Sequence, residues 1–513
     1  VLTACGGGNT TAPTTGASSG GETQTASESA ESGKITKTDI VVGQASDIVT
    51  LDPAGQQDTT SGVLMKHAYS TLLDVDNEGE VVPDLAESYE MKSDTEYVFK
   101  LREDACFWDG TPVTAQDVKF SLDRAKGMPK TKSNTSKIEE VTVNGDHEVT
   151  IKLTEPYAAF KTIVTQHNLS ILSEKAVTEA GDSYGDVDNL LGSGPFKVTE
   201  WVPNDHYTLV RNDNYWGEMP IATSITCRVI PEGSARTIAL EAGEIDVVWS
   251  VDPTDCANVE SNPDVKLLSQ PSTGIDYVGM NTQKEKFSDK RVRQAINYAL
   301  DKQTFVDTII EGRGLVANSY INAAIPGWTD EVEAYPYDPE KAKELLAEAG
   351  YPDGFECSIF VNGDLRTRSA QILQAQLADV GIKVDISTYE WGALLDTLNA
   401  GEHEMFLLGW SNTSFDPDGS TYQLFYSGNH GATGNRAFFS NDKVDELILS
   451  AQRESEESKR MELYKELQFV LHDESPWCPL YYKENNVGVR ADLKGFTLHA
   501  GAQHYLGNCH YEE

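Results

Sequence analysis

Hydrophobic and polar positions alternate with a two-residue period at several points of the chain. The segments 97–101 and 149–153 are clear examples, and this period is typical of half-buried β-strands. Between them, the spacing of Thr114 and Asp117 matches a capping box, which predicts that a helix begins there. The pattern therefore predicts strands and helices in alternation.

The clearest unit covers residues 355–388. Segment 355–361 has the pattern of a strand, 367–380 has apolar positions at helical spacing, and 382–387 has the pattern of a second strand. Such a βαβ unit implies parallel strands and a right-handed crossover. A further helix is predicted just before it, with Asp338 as N-cap and Pro339 at the first position. These elements indicate the α/β class.

The loop 362–368 follows the first strand of this unit and carries Arg366 and Arg368. Ligands of open α/β sheets bind beyond the carboxyl ends of the strands. The amino end of a helix together with two guanidinium groups favours an anion or a carboxylate. The alternative is that both arginines are ordinary surface residues close to Asp364.

Charge and composition narrow the classes of function. The 513 residues include 41 Lys+Arg against 81 Asp+Glu, a net charge of −40. Binding to nucleic acid needs clustered basic residues, and adsorption to an anionic bilayer needs them too, so neither partner is expected. No run of about 18 apolar residues is present, so no membrane-spanning helix is expected. The length predicts three folding units or two large lobes.

The first residues, Val1-Leu2-Thr3-Ala4-Cys5-Gly6, are similar to the lipobox of bacterial lipoproteins. We expect residues 1–4 to be the remnant of a signal peptide and Cys5 to be lipidated. Residues 6–33 contain no Ile, Leu, Val, Met or aromatic residue, so they cannot bury apolar surface. The segment 5–38 is therefore expected to be a lipidated, flexible tether.

A search for catalytic and metal-binding motifs finds nothing that supports an enzyme. Gly16-Ala17-Ser18-Ser19-Gly20 matches a serine-nucleophile motif, but it lies in the predicted tether, without a strand or helix around it. The other six cysteines show no CxxC pair, and spacing alone cannot say whether they form disulfides. We expect no catalytic residues, no cofactor and no metal site.

Several ordered motifs resemble one known family over residues 39–505. The quoted segments are Leu51-Asp52-Pro53, Val82-Pro83-Asp84-Leu85-Ala86-Glu87-Ser88, Trp108-Asp109-Gly110-Thr111-Pro112, Gly192-Ser193-Gly194-Pro195-Phe196, Gly409-Trp410 and Asp416-Pro417-Asp418. In this order they resemble the family 5 solute-binding proteins of ABC importers, the oligopeptide-, dipeptide- and nickel-binding group. No pair of histidines favours the nickel branch.

The resemblance implies an α/β fold of the two-lobed, clamshell-like periplasmic-binding-protein type (type II, cluster C-like). Lobe I would comprise residues 39–280 and 487–513, with an extra subdomain at about 72–185. Lobe II would comprise residues 281–486, and the chain would cross near Met280-Asn281. The solute would be enclosed between the lobes, and hinge closure would follow binding.

One position departs from the peptide-binding branch of this family. In that branch, an Asp three residues after the Gly-Trp tryptophan pairs with the amine of the ligand, whereas this chain has Thr413 there. A buried ammonium without a carboxylate partner costs several kcal/mol. Either Asp416 or Asp418 takes this role, or the ligand has no free amine.

The resemblance also implies the other ligand contacts. The dipeptide branch binds the ligand carboxylate through an arginine in the loop of Arg366 and Arg368, and Arg368 is the better match. Trp391 and Trp410 match aromatic wall positions. The remaining implied contacts are Asp58, Thr59, Thr60 and Asn281.

The sequence therefore predicts a substrate-binding lipoprotein that captures di- or oligopeptides and delivers them to an ABC permease. It would be a monomer on the outer face of the bacterial cytoplasmic membrane, held there only by its lipid anchor. The alternatives are a sugar, an opine-like compound or a metal chelate as solute, a surface hydrolase, and a sensor or adhesin that serves no importer.

Overall fold

The computed structural model describes residues 34–513 of the chain. The predicted signal-peptide remnant 1–4, the lipidation site Cys5 and the tether up to residue 33 lie outside the described residues. The predicted end of the tether at residue 38 is wrong, because β1 (Ile35–Lys37) pairs with the last strand of the chain. Within the described residues, no helix is long and apolar enough to cross a membrane.

The described residues form twenty strands. Their bounds are β1 (Ile35–Lys37), β2 (Asp39–Gln44), β3 (Leu73–Val75), β4 (Val81–Pro83), β5 (Ala86–Ser93), β6 (Glu96–Leu101), β7 (Ile138–Val143), β8 (Glu148–Leu153), β9 (Phe196–Val202), β10 (His206–Arg211), β11 (Ser224–Val229), β12 (Val247–Val248), β13 (Val265–Pro271), β14 (Gly274–Met280), β15 (Gly314–Val316), β16 (Phe355–Val361), β17 (Ile382–Thr388), β18 (Met405–Ser411), β19 (Trp477–Arg490) and β20 (Tyr511–Glu512).

The same part of the chain contains sixteen α-helices. Their bounds are α1 (Thr59–Ala68), α2 (Ala115–Gly127), α3 (Lys132–Thr135), α4 (Phe160–Ile163), α5 (Glu174–Ala180), α6 (Gly233–Glu241), α7 (Pro253–Ser261), α8 (Glu285–Ser288), α9 (Lys290–Ala299), α10 (Lys302–Thr308), α11 (Pro339–Glu348), α12 (Gly363–Ala378), α13 (Trp391–Asn399), α14 (Asp418–Phe425), α15 (Asp442–Arg453) and α16 (Glu457–Glu474).

The elements with the clearest sequence signals are confirmed. The predicted strands 97–101 and 149–153 lie in β6 and β8, which pair antiparallel. At the start of α2, the backbone N–H and the hydroxyl of Thr114 donate to Oδ2 of Asp117 at 2.9 and 2.7 Å. Asp338 and Pro339 begin α11 as predicted. Local capping chemistry therefore determined these boundaries.

The predicted βαβ unit is present, because β16 and β17 are parallel and α12 connects them. The helix begins at Gly363, however, rather than at residue 367 as predicted. The earlier start places Leu365 against the core. Arg366 and Arg368 are therefore residues of a helix and not of a loop.

A twelve-stranded sheet contains strands from both ends of the chain. Its order is β17-β16-β18-β14-β19-β12-β2-β11-β10-β9, and β13 and β15 also pair with β19. The 14-residue strand β19 pairs through its first part with β14 and β15, and through its last part with β12 and β13. One continuous strand therefore belongs to both parts of the sheet.

The buried cores form two sets around this strand. We call lobe I the elements around the cores of β2, β9–β13 and the end of the chain, and lobe II the elements around the cores of β14–β18 and α8–α16. The change from β13 to β14 falls between Pro271 and Gly274. The chain therefore leaves lobe I there, before the crossing predicted at Met280-Asn281, because all of β14 pairs with β18.

A separate small core lies within lobe I. The four-stranded antiparallel sheet β5-β6-β8-β7 packs with α2 around residues between Leu72 and Ile171. These residues lie within the stretch 72–185 that was predicted as an extra subdomain. This subdomain reaches the cleft between the lobes through residues 166–168.

Candidate ligand-binding site

A cavity of about 400 Å³ lies between lobe I and lobe II. Lobe I lines it with the start of α1 and with residues 166–168 and 502–504, and lobe II lines it with α12, α13 and the end of β18. Because β16 and β18 are parallel, their carboxyl ends open on the same edge of the sheet. The predicted site residues that line the cavity are Asp58, Thr59, Thr60, Arg366, Trp391, Trp410 and Thr413.

Asp58 is a carboxylate on the wall of lobe I. It is the N-cap of α1, and its Oδ1 accepts the backbone N–H of Ser61 at 2.9 Å. Its Oδ2 is buried and has no hydrogen-bond partner among the described residues. Burial raises the pKa of Asp58, although Ser61, Lys130 and the Trp391 indole favour the ionised form. A ligand cation would satisfy this carboxylate.

Arg366 faces the cavity from the first turns of α12. Its Nη1 donates to Oδ1 of Asn362 at 2.6 Å, and its guanidinium carbon lies 5.8 Å from the ring centre of Trp391. Its Nε is buried without a hydrogen-bond partner among residues 34–513. The asparagine and the indole hold the guanidinium in place without neutralising it, so it is available for a ligand anion.

Arg436 is a further charged residue that lines the cavity, and the sequence analysis did not predict it. It is only 6 % exposed. Its Nε donates to Oδ1 of Asn399 at 3.0 Å, and its carbonyl accepts Nε2 of His403 at 2.8 Å. Burial lowers the pKa of its guanidinium. The only available signal was a lone arginine in a turn-rich stretch, which carries no motif.

Tryptophans provide the apolar walls of the cavity. Trp410 lies near the end of β18, and its indole donates to the carbonyl of Gly419 at 3.0 Å. Trp391 begins α13, and its indole nitrogen lies close enough to Asp58 to favour the ionised carboxylate, without a regular hydrogen bond to any described residue. On the side of lobe I, Trp249 stacks on His504 with ring centres 5.3 Å apart. Rings of this kind can pack on the apolar parts of a solute while a few polar groups set its orientation.

Polar side chains bridge the cleft directly. Gln57 of lobe I donates to Oε1 of Gln423 of lobe II at 3.1 Å. Thr413 donates to Oε1 of Gln166 at 2.9 Å. The residue that replaces the acid of the peptide-binding branch therefore joins the two lobes. These contacts describe a closed cleft.

The cavity offers neither a metal site nor a reactive thiol. Among the described residues, no group of three His, Cys, Asp or Glu side chains could hold a metal ion. No cysteine lines the cavity, and all six described cysteines are unpaired. Burial lowers the pKa of both lining histidines, His167 and His504, to about 3. Both imidazoles are therefore neutral at physiological pH.

Arg368 does not line the cavity, although the resemblance favoured it over Arg366. Its Nη2 lies 2.9 Å from both carboxylate oxygens of Asp252. Asp252 is the N-cap of α7 in lobe I, so this ion pair joins α7 to α12 across the edge of the cleft. The Asp252 carboxylate therefore already binds this guanidinium. Arg366 and Arg368 are two positions apart on α12, where side chains are turned about 200° around the helix axis, so Arg368 does not face the cavity as Arg366 does.

Asp416 and Asp418 also lie outside the cavity. Asp416 forms a salt bridge with Arg460 at 2.5 and 2.9 Å. Asp418 accepts the hydroxyl of Tyr157 at 2.5 Å and the amide of Gln452 at 2.9 Å. Neither carboxylate is free for a ligand amine in this structure, because each already has protein donors.

Asn281 is the last predicted site residue that lies elsewhere. Its side-chain amide donates to the carbonyls of Gly401 and His403, both at 3.2 Å, and its Oδ1 accepts the N–H of Gln283 at 3.1 Å. These contacts fix the backbone after β14. All the hydrogen-bonding groups of this side chain are used within lobe II, so it has none left for a solute.

Comparison with known proteins agrees with this arrangement. The family model described as "Bacterial extracellular solute-binding proteins, family 5 Middle" matches residues 80–432. The chain is 30 % identical over 470 residues to the dipeptide-binding protein of Escherichia coli (strain K12), which covers 84 % of this chain and 86 % of that protein. It is 31 % identical over 479 residues to the glutathione-binding protein GsiB of Escherichia coli (strain K12), with 90 % and 92 % covered.

The fold is also similar to solved structures. DppA, an ABC transporter-associated periplasmic binding protein from Helicobacter pylori in complex with peptide STSA, superposes with a TM-score of 0.89. Its sequence identity is 28 %, and the match covers 93 % of this chain and 99 % of that chain. The predicted α/β fold of the cluster C periplasmic peptide-binding proteins is confirmed.

The ion pair of Arg368 and Asp252 leads to a test of cleft closure. We expect Arg368→Ala to weaken every ligand by about the same factor, because it removes an interlobe contact and no ligand contact. The side chains are 37 % and 14 % exposed, and a partly exposed pair contributes about 1 kcal/mol or less. Isothermal titration with a peptide and its carboxyl-amidated form measures this. Arg291→Ala, which breaks a partly exposed pair with Asp289 within lobe II, should leave the affinities unchanged. A loss confined to the free-carboxylate peptide would instead assign Arg368 to the ligand.

Proposed function

The chain belongs to family 5 of the bacterial extracellular solute-binding proteins, the non-catalytic substrate-binding components of ABC importers, and from this premise we propose that its solute is a small peptide with free termini. The observation that carries the proposal is the composition of the cavity. A partly buried acid on lobe I, Asp58, and a partly buried base on lobe II, Arg366, share one tryptophan-walled space. A zwitterion would satisfy both charges.

The amino group of the peptide would bind Asp58. Its Oδ2 has no partner among the described residues, and the Asp416 and Asp418 carboxylates are used elsewhere. Asp58 would therefore act as the acid that is missing at position 413, where this chain has a threonine. The attraction of a ligand ammonium would offset the desolvation free energy of this carboxylate.

The terminal carboxylate of the peptide would bind Arg366. This guanidinium lines the cavity and is already oriented by Asn362 and Trp391. A guanidinium held in this way loses little side-chain freedom when a carboxylate arrives. Trp391 and Trp410 would then pack on the side chains of the peptide.

The size of the cavity favours a short peptide. Its volume of about 400 Å³ lies near the lower end of the range of ligand pockets, which is about 300–1,000 Å³. Three of the relatives are consistent with this class of solute, since one is named for dipeptides, a second for glutathione, and the Helicobacter pylori structure holds the peptide STSA. Others are named for heme or hold agropinic acid, so solutes vary among the relatives.

Binding would favour the closed cleft. Contacts on a bound solute come from both lobes, so a solute stabilises the closed form over the open one by its differential affinity. Gln57–Gln423 and Thr413–Gln166 would form only when the lobes meet. The permease would then receive the closed, loaded protein.

A peptide panel tests the proposed function. We expect a free dipeptide such as Ala-Ala to bind the wild-type protein, and N-acetylation or C-amidation to weaken it by about 30-fold or more, because each removes one partner of a buried pair. Asp58→Asn, which keeps an N-cap side chain, should lose the preference for the free amine. Arg366→Gln should lose the preference for the free carboxylate. Equal binding of free and blocked peptides by the wild-type protein would contradict the proposal.

The pKa of Asp58 adds a dependence on pH. An ammonium ligand pairs with the ionised carboxylate, and burial raises the pKa of that carboxyl above its ordinary value of 3.8. Affinity for free peptides should therefore be full at neutral pH and fall as the pH decreases through the raised pKa. Titrations from about pH 7.5 down to about pH 4 measure this, with circular dichroism to verify the fold. The affinity of the Asp58→Asn variant for free peptides should not change with pH. If the affinity of the wild-type protein is equally independent of pH, Asp58 does not bind the ligand amine.

We further propose that a lipid on Cys5 holds the protein at the membrane. The support is the similarity of residues 1–6 to a lipobox. In cells that express the full precursor, labelled palmitate should enter the wild-type protein but not Cys5→Ala, which should leave the membrane fraction. Label that persists in Cys5→Ala would refute the anchor.

A further inference from the structure

The charges at one end of the cavity do not balance. Arg366 and Arg436 line the cavity beside Asp58, and neither forms a salt bridge with a described residue. Lys130 is a third cation near the same carboxylate. The exposed Asp396 carboxylate also offsets the charge of Lys130, which does not line the cavity. Arg366 and Arg436 therefore share Asp58 as the lining acid at this end of the cavity. If that acid binds a ligand ammonium, as proposed above, the positive excess grows.

The other charged groups of the cavity are compensated within the protein. Arg313 donates to Oε1 of Glu260 at 2.7 Å, and Lys483 lies 2.8 Å from Oδ2 of Asp276. Glu484, a second lining acid, adds further negative charge near Arg313. The uncompensated positive charge is therefore confined to the end that holds Asp58, Arg366 and Arg436.

Arg436 has the geometry of a built anion site. The guanidinium is more than nine-tenths buried, and Asn399 and the backbone contact with His403 hold it in place. No hydrogen bond joins either Nη group to a residue of 34–513, while the side chain lines the cavity. A buried guanidinium without a salt-bridge partner is costly, so an anionic group of the solute would stabilise it.

The perturbed pKa values agree with this geometry. Burial lowers the pKa of the Arg436 guanidinium, and the Asp58 carboxylate only partly offsets the effect. Burial likewise lowers the pKa of the Lys130 ammonium, and the positive charge of Arg436 lowers it further. The two cations are therefore close enough to repel each other.

We infer that the peptide carries a second carboxylate, which Arg436 binds, in addition to the terminal carboxylate on Arg366. The inference rests on the proposed function and deepens it. The ligand class is then an acidic di- or tripeptide, in which the extra carboxylate belongs to a side chain or to a γ-linked glutamyl residue. Such a ligand has two carboxylates and one ammonium, which match Arg366, Arg436 and Asp58 in number and sign.

Two pairs of isosteric dipeptides test the inference. Ala-Glu is compared with Ala-Gln, and Glu-Ala with Gln-Ala, so that the position of the extra carboxylate is not assumed. The wild-type protein should bind the acidic member of at least one pair about 30-fold more tightly or better, because a buried charge pair forms only there. Isothermal titration at constant ionic strength gives the ratio.

The variant Arg436→Gln should abolish this ratio. We expect the affinity for the acidic dipeptide to fall to that for its amide counterpart, while the affinity for the amide counterpart changes by less than about threefold. Arg366→Gln should weaken both members of the pair, since both keep the terminal carboxylate. Arg228→Gln, an exposed arginine of lobe I, is the control for net charge and should leave the ratio unchanged.

The outcomes separate the two proposals. If no free dipeptide binds, the peptide function itself fails. If dipeptides bind but neither pair shows a preference for the acid, the function stands and only the second carboxylate is refuted. If circular dichroism shows that Arg436→Gln does not fold, Arg436→Lys is used instead. The inference then requires that the wild-type protein prefer the acidic dipeptide and that the lysine variant keep at least part of this preference.

Discussion

The structure depends on one strand that belongs to both lobes. The last part of β19 pairs with β12 and β13 in lobe I, and its first part pairs with β14 and β15 in lobe II. The second crossing lies beside it, because the backbone N–H and hydroxyl of Ser272 both donate to the carbonyl of Lys483. Two adjacent crossings of extended chain can bend without disturbing either core. The cleft and its closure follow from this connection.

The cleft buries charges that the protein leaves without partners. Burial of an uncompensated carboxylate or guanidinium is unfavourable. The closed cleft buries Arg436 and partly buries Asp58 and Arg366. A solute with complementary charges offsets this unfavourable burial. The unpaired groups therefore favour the open cleft when it is empty and make closure depend on the correct solute, which also provides specificity.

Residues of the same chemical type that lie close together in the sequence have different roles in the structure. Arg366 and Arg368 are two positions apart on α12, so one faces the cavity while the other pairs with Asp252 at the edge of the cleft. Asp416 is held by Arg460, although the sequence suggested it for the ligand amine. Asp58 does line the cavity, far from these residues in the sequence, and the family resemblance had implied it as a ligand contact.

Local chemistry in the sequence determined the α/β class, the capping of α2 and α11, and the parallel pair β16 and β17, because side-chain periodicity and caps act over a few residues. Ordered motifs determined the family. Only the tertiary structure decided which charges are paired. The partners Asp252–Arg368 and Asp416–Arg460 lie 116 and 44 residues apart, so no local pattern reports them. The role of Arg436 could not be predicted from the sequence either. Its burial and its lack of a salt-bridge partner arise only where α13, the stretch before α15 and the cleft meet.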